Sequence, residues 1–144
     1  MLVSQILNDK TDKGVVTVTP DTRVSAAAKI LAEKRIGTVV VTASGTGAEG
    51  ILSERDIVRE LALRGALCMD DTVADIMTPE PTCASKDETV QSVMSKMTEG
   101  RFRHMPVMEN GTLVGIVTLG DVVKAQLSEL AMEKNALEGM IMGH

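Results

Sequence analysis

Aromatic residues and cysteine are scarce in this sequence of 144 residues, and both absences narrow the classes of protein to which it can belong. It has no Trp, no Tyr and a single Phe, so its core must come from aliphatic side chains and from the ten Met. The two cysteines, Cys68 and Cys83, are too few for a disulfide framework or a zinc site of thiolates. Such sparse cysteine is typical of reduced thiols, and we therefore expect a cytoplasmic protein.

Long apolar runs and an excess of positive charge are also missing. No run approaches the roughly 18 apolar residues that suggest a membrane-spanning helix. The N-terminal MLVSQILNDK lacks the basic start and the long apolar stretch of a signal peptide. The formal net charge of −5 argues against a basic face for nucleic acid. We therefore expect neither a membrane nor a nucleic acid as a partner.

Two segments of the chain, 17–59 and 83–124, resemble each other. They match at an offset of 66 up to the loop after the second predicted strand, and at an offset of 65 beyond it. In both copies an amphipathic pattern at helical spacing is followed by two short apolar runs around a Gly-containing turn, which in the second copy is Asn110-Gly111. Each copy therefore predicts the order strand, helix, strand, strand, helix. One such unit has little core of its own, so we expect the two to pack together.

Gly45, Gly47 and Gly50 match the spacing of the dinucleotide-binding fingerprint GxGxxG. In that fingerprint the glycines open a helix, whereas here Gly50 leads into another apolar run. The second copy has only ENGT at the same place. We interpret the three glycines as a hairpin turn, so NAD would have to bind elsewhere.

The last strand of each copy leads into its last helix through a matched motif, GILSERD (residues 50–56) and GIVTLGD (residues 115–121). VADIMTP (73–79) precedes the second copy and RHMPV (103–107) lies within it. In this order, twice over, the motifs resemble a pair of CBS domains, named after cystathionine β-synthase. The resemblance implies an α/β (α+β) fold in which tandem β-α-β-β-α repeats form a pseudo-two-fold CBS-domain pair, or Bateman module. We expect the first repeat with its N-terminal segment at residues 1–68, the second repeat at 69–127 and a C-terminal helical extension at 128–144.

The same resemblance implies a function. CBS pairs often bind AMP, ADP, ATP, S-adenosylmethionine or NAD(H) in two clefts between the repeats, commonly form dimers, and usually regulate an attached or partner protein. We therefore expect a non-catalytic module that senses an adenosyl ligand and modulates a partner or its own assembly, as a homodimer. The alternative is a structural or dimerisation module with no physiological ligand. An enzyme is disfavoured, because no Ser/His/Asp or Cys/His set has a supporting motif and no cluster of metal ligands is evident.

Ser53 with Asp56, and Thr118 with Asp121, are the pairs in the matched motifs that can bind a ligand. A helix N-terminus with a hydroxyl suits a phosphate, and a carboxylate one turn later can accept both hydroxyls of a ribose. The same [ST]-x-x-[DE] pattern is also a helix capping box, which requires no ligand. The two roles are compatible.

The resemblance assigns further residues to each cleft. In the family, the entry of the second strand faces the carboxylate of the other repeat, which brings Arg103 and His104 to the first repeat's cleft. Their equivalents, Gly37 and Thr38, offer no positive charge, so the two clefts should differ in affinity. Alternatively, the arginine is a solvated surface charge and His104 a satisfied loop histidine. The first repeat's cleft is expected to use Ser53, Arg55, Asp56, Thr82, Arg103, His104 and Pro106. The second repeat's cleft is expected to use Thr17, Val18, Gly37, Thr38, Thr118 and Asp121.

Apolar residues continue at helical spacing beyond the second copy. The series has spacings of three, seven and four residues and consists of Leu127, Leu130, Leu137 and Ile141, with Lys134 interrupting it. The pattern indicates a helix with an apolar face. That face either packs across a dimer or covers the chain's own module.

Overall fold

The computed structural model describes residues 1–10 and 14–141. Its elements follow the order that the two copies predict, except that the first strand of the second copy is reduced to a single bridge at Ala84. The helices are α1 (Val3–Asp9), α2 (Val24–Lys34), α3 (Glu54–Arg64), α4 (Val73–Ile76), α5 (Val90–Gly100) and α6 (Leu119–Ile141), and a 3-10 helix spans Gly65–Asp70. The strands are β1 (Thr17–Val18), β2 (Thr38–Val41), β3 (Gly50–Ser53), β4 (Thr78–Pro79), β5 (His104–Glu109) and β6 (Thr112–Thr118). The predicted mixture of helices and strands is confirmed.

Each repeat forms its own sheet. The first has the order β1-β2-β3-β4, with β1 and β2 parallel and the other neighbours antiparallel. The second pairs β5 with β6 in antiparallel fashion, and Ala84 adds a single parallel pairing with Val107 at its edge. Because β2 and β3 are antiparallel neighbours, the glycine-rich segment between them is a hairpin connection, as predicted. In the other hairpin, Asn110 and Gly111 have φ values of 51° and 77°, which suits an Asn-Gly turn.

Each repeat has its own hydrophobic core, and aliphatic and Met side chains fill both cores. One side of α2 and of α5 is buried in each case, as the apolar stripes predict. The first core includes Val24, Leu31, Val39, Leu52 and Ile57. The second core includes Val90, Val93, Met97, Met105 and Val117.

The segments that precede the repeats exchange places. Val3 of α1 is buried in the core of the second repeat, and Val73 of α4 is buried in the core of the first. Corresponding backbone hydrogen bonds hold the two segments in place. The N–H of Val3 donates to the carbonyl of Glu88 at 2.9 Å, and the N–H of Val73 donates to the carbonyl of Thr22 at 2.7 Å. Each core is therefore completed by the segment that precedes the other repeat, while the division between residues 68 and 69 stays a prediction.

Helix α6 runs without a break from Leu119 to Ile141 and thus crosses the expected start of the C-terminal extension at residue 128. At about 1.5 Å per residue its length is roughly 35 Å. Across residues 1–10 and 14–141, no helix combines the length and the apolar character needed to cross a membrane.

Candidate functional site

The two matched motifs form the same structure at the start of α3 and of α6. The N–H of Ser53 donates to Asp56 Oδ2 at 2.9 Å, and the N–H of Asp56 donates back to Ser53 Oγ at 3.2 Å. In the second repeat the corresponding distances between Thr118 and Asp121 are 2.9 Å and 3.1 Å. Both pairs are therefore complete capping boxes. The free oxygen lone pairs of each carboxylate leave room for a ligand beside the cap.

A cleft of about 480 Å³ adjoins the start of α3, and we call it the first cleft. Pro106, which was predicted for this cleft, does not line it in the structure. It is buried within β5, and its carbonyl accepts the N–H of Ala84 at 2.8 Å. Whether the lining residues contact a ligand stays a prediction. Of the residues predicted for this cleft, those that line it are Ser53, Arg55, Asp56, Thr82, Arg103 and His104.

Charges of both signs surround the first cleft. Asp56 is buried, and its Oδ1 accepts a hydrogen bond of 2.8 Å from the guanidinium of Arg59 on the same helix. Arg55, Arg101 and Arg103 supply further positive charge, and Glu54 and Glu80 oppose it. Because guanidinium groups grip phosphate oxygens with a fork of donors, the arginines are the side chains here best suited to an anion.

His104 lies between the two repeats at the entry of β5. Its Nε2 is 3.7 Å from the position that a Cβ would take on Gly37, and a carboxylate oxygen of Glu54 is 3.5 Å from the same position. Burial lowers the pKa of His104 from its ordinary value, although the nearby carboxylates of Glu54 and Asp121 act in the opposite direction. His104 is therefore neutral at pH 7 and offers a hydrogen bond rather than a charge. At neutral pH the arginines, rather than His104, therefore supply the positive charge of this cleft.

Asp121 has a partner from the far end of the chain. The amine of Lys10, just after α1, donates to Asp121 Oδ2 at 2.9 Å and to the carbonyl of Ile116 at 3.0 Å. Burial by itself would raise the pKa of Asp121. The hydrogen bond from the Thr118 N–H and the amine of Lys10 outweigh it and hold that pKa below its ordinary value. The second cleft, which adjoins Asp121, therefore contains a positive charge that the sequence analysis did not assign to it.

The remaining residues predicted for the second cleft lie in the first repeat. Thr17 is exposed on β1, Val18 belongs to the first core, and Gly37 lines the first cleft. Thr38 is buried opposite Ser53 in the sheet, and within the described residues its hydroxyl has no hydrogen-bond partner. In the described part of the chain none of the four forms a hydrogen bond with Asp121. Their membership of the second cleft stays a prediction.

Over the ranges that the structure covers, no group of three or more His, Cys, Asp or Glu side chains could hold a metal ion. Cys68 is buried and Cys83 is half-buried, and both are free thiols.

Comparison with known sequences agrees with the tandem architecture. The sequence profile of the CBS domain matches residues 3–63 and again residues 73–128. The CBS domain-containing protein CBSX3, mitochondrial, of Arabidopsis thaliana is 31% identical over 98% of this chain, which spans 72% of that protein. A second Arabidopsis relative, CBSCBSPB2, is 30% identical over 86% of this chain, which spans only 23% of its length. Some relatives thus carry a similar module within a much longer protein.

Solved structures share the fold over nearly their whole length. The CBS-domain containing protein ATU1752 from Agrobacterium tumefaciens is 41% identical, with a TM-score of 0.82 over 88% of this chain and 99% of that one. The CBS domain pair of protein MJ0100, in complex with 5′-methylthioadenosine and S-adenosyl-L-methionine, is 28% identical, with a TM-score of 0.78 over 90% and 98%. The CBS domain protein PAE2072 from Pyrobaculum aerophilum, complexed with AMP, is 26% identical, with a TM-score of 0.77 over 92% and 99%. With two profile matches, two exchanged segments and these neighbours, the chain belongs to the CBS domain family as a tandem pair.

Proposed function

We propose that this chain is a non-catalytic regulatory module that binds an adenosyl ligand and passes the effect of binding to a partner protein or to its own assembly. The candidate ligands are AMP, ADP, ATP, S-adenosylmethionine and NAD(H). The observation that carries the proposal is the first cleft, where a capped carboxylate, a helix N-terminus and several arginines surround one cavity of about 480 Å³. No catalytic role is assigned to any of these groups.

The carboxylate of Asp56 is the group proposed for the ribose. It lines the cleft and is held in place by the N–H of Ser53, so little side-chain freedom is lost when a ligand binds. Arg59 is more than half exposed and can turn away to solvent when sugar hydroxyls replace it. The proposed phosphate position lies near the N-terminus of α3, where Arg55 and Arg103 supply charge.

The adenine ring would lie between aliphatic groups. Ile51 and Pro81 line the cleft together with Thr82, and Phe102 lines it as well. Such a pocket can bury an adenine without an aromatic stack, which the composition disfavours. The neighbours solved with AMP and with S-adenosyl-L-methionine support this ligand class.

The proposal includes a homodimer formed through α6. Beyond the second core this helix leaves Leu127 and Leu130 more than half exposed, and Leu137 and Ile141 are exposed as well. Monomeric proteins seldom leave such a contiguous apolar stripe in water. This observation also favours the second candidate function, a dimerisation module whose clefts have no physiological ligand and whose capping boxes only stabilise helices.

Isothermal titration calorimetry can separate the two candidate functions. It is the suitable method because the protein has no Trp or Tyr to report binding by fluorescence. The purified protein is titrated with each candidate ligand in turn. A saturable heat with one of them supports the sensor and identifies its ligand. If no ligand gives a heat, and none changes the melting temperature at millimolar concentration, the dimerisation module is the better description. The location in the cytoplasm and the regulation of a partner protein stay predictions.

A further inference from the structure

A lysine from the start of the chain, Lys10, lies beside Asp121 at the second cleft. Lys10 contacts both Asp121 and the carbonyl of Ile116, and it borders two cavities, of about 250 Å³ and about 260 Å³. Of the described residues that line these cavities, Lys10 alone lines both. Lys86 lines the first of these cavities and Lys124 the second, but within the described residues only Lys10 pairs with Asp121.

The first cleft has a residue of opposite charge at the position that aligns with Lys10 in sequence. The exchanged segments VSQILNDK (3–10) and VADIMTPE (73–80) align at an offset of 70, which pairs Lys10 with Glu80. Glu80 lines the first cleft, and within the described ranges it forms no ion pair. The other counterparts agree, because Ile51 and Ile116 line the two clefts in the same way. The preceding segment therefore supplies a lysine that pairs with Asp121 at the second cleft and an acid at the first.

Displacing Lys10 is unfavourable unless its charge finds another partner. Its side chain and that of Asp121 are each only 23% exposed, so water solvates the separated charges incompletely. A ligand whose ribose occupies Asp121 and that carries no charge leaves the amine with the carbonyl of Ile116 but without a charged partner. A ligand with a phosphate offers the amine a charged acceptor in place of the carboxylate.

We propose that Lys10 determines the specificity of the second cleft, which binds phosphorylated adenosyl ligands and discriminates against uncharged ones such as adenosine. This inference rests on the proposed function, because it takes Asp121 as the acceptor for the ribose hydroxyls. A hydrogen bond to a charged group is strong enough that AMP should bind the second cleft at least about tenfold more tightly than adenosine.

Methyl NMR can measure each cleft separately. With ¹³C-labelled isoleucine methyl groups, the signal of Ile116 reports the second cleft and that of Ile51 reports the first. Titrations with AMP and with adenosine give a dissociation constant for each ligand at each signal. The ratio of the two constants at Ile116 is the measure of discrimination, and the same ratio at Ile51 is an internal control.

The variants are chosen to separate the charge of Lys10 from its bulk. In Lys10→Met the ratio at Ile116 should fall to within about threefold of one, mainly through tighter binding of adenosine, while the ratio at Ile51 stays unchanged. Lys10→Arg keeps the charge and should keep the discrimination. Lys29→Met removes one positive charge from the exposed side of α2 and should change neither ratio. If the spectrum of Lys10→Met shows an unfolded protein, Lys10→Gln is used for the same comparison.

Three results would overturn the inference. The first is a ratio at Ile116 that stays the same in Lys10→Met, with nucleotide binding intact, which leaves the proposed function standing. The second is equal affinity of the wild-type second cleft for AMP and adenosine. The third is the absence of any shift at Ile51 and Ile116 with either ligand in all variants, which overturns both this inference and the binding of these adenosyl ligands.

Discussion

Asp56 and Asp121 accept the same hydrogen bond at the same distance, 2.9 Å from the backbone N–H three residues earlier to Oδ2. Their other partners differ, since Asp56 meets Arg59 of its own helix and Asp121 meets Lys10 from the start of the chain. The shared bond is a helix cap, and the unshared ion pairs give the two clefts their different charge. Stability and binding at these carboxylates can therefore be tested separately.

Removal of a cap should have a modest cost. Asp121→Ala loses both the cap and the partner of Lys10, and we expect the free energy of unfolding to fall by about 1 kcal/mol. Asp121→Asn keeps an acceptor for the Thr118 N–H and should lose less. Urea unfolding followed by circular dichroism measures both variants. Equal stability of wild type and Asp121→Ala would mean that this box contributes nothing to the helix.

The stability of the protein should depend on the ionisation of His104. Burial lowers its pKa in the folded state, so the unfolded state binds a proton first as the pH falls. The contribution of neutral His104 to the free energy of unfolding is fully present above about pH 6.5, the ordinary pKa of histidine. It decreases as the pH drops towards the lowered pKa of the folded state. The groups that face His104 are Glu54, Asp121, Lys10 and Arg103. Urea midpoints between pH 7 and pH 5.5 should fall for wild type and change less for His104→Asn, and identical slopes for the two would contradict the assignment.

Because α1 packs in the second core and α4 in the first, a substitution in either helix should destabilise the repeat whose core that helix completes. Ile6 of α1 is buried in the second core and Ile76 of α4 in the first, so replacing either by Ala should cost about 2–5 kcal/mol. Hydrogen exchange should show weaker protection mainly in β5 and β6 for Ile6→Ala, and mainly in β2 and β3 for Ile76→Ala. The opposite assignment of the two sheets would show that the segments do not exchange in solution.

Self-association through α6 should depend on one side of the helix. Leu130→Lys introduces a charge into the apolar stripe and should convert a dimer into a monomer, which light scattering coupled to gel filtration detects. Met132 is as exposed as Leu127, but its position two residues from Leu130 turns it to the opposite side of the helix. Met132→Lys is therefore the matched control and should leave the dimer intact. Dissociation of both variants, or of neither, would argue against this face.

The repeat made most of the fold predictable, and the unpredicted features have physical reasons. Hydrophobic periodicity and the Asn110-Gly111 turn indicate the order of elements because they are local signals. The position of α1 and α4 is not local, since a four- to seven-residue amphipathic segment fits either of two similar cores. Lys10 was missed for the same reason, because its equivalence to Glu80 becomes evident only when the segments before the repeats are aligned. The resemblance implies that Pro106 lines the first cleft. In the structure it is instead buried in β5 together with its neighbours Met105 and Val107.

Calorimetry on a pair of matched carboxylate variants tests the central claim most directly. Asp56 and Asp75 both accept a hydrogen bond from the N–H of their helix cap, at 2.9 Å and 3.0 Å, but only Asp56 lines the first cleft. Asp56→Asn and Asp75→Asn each remove one negative charge from a cap. Asp56 is buried and also pairs with Arg59, so urea unfolding of both variants is measured beside the titration. For the ligand that binds wild type, we predict at least about a tenfold loss of affinity at the first cleft in Asp56→Asn and none in Asp75→Asn. Unchanged affinity in Asp56→Asn, or an equal loss in both, would contradict the proposal that this carboxylate holds the ligand.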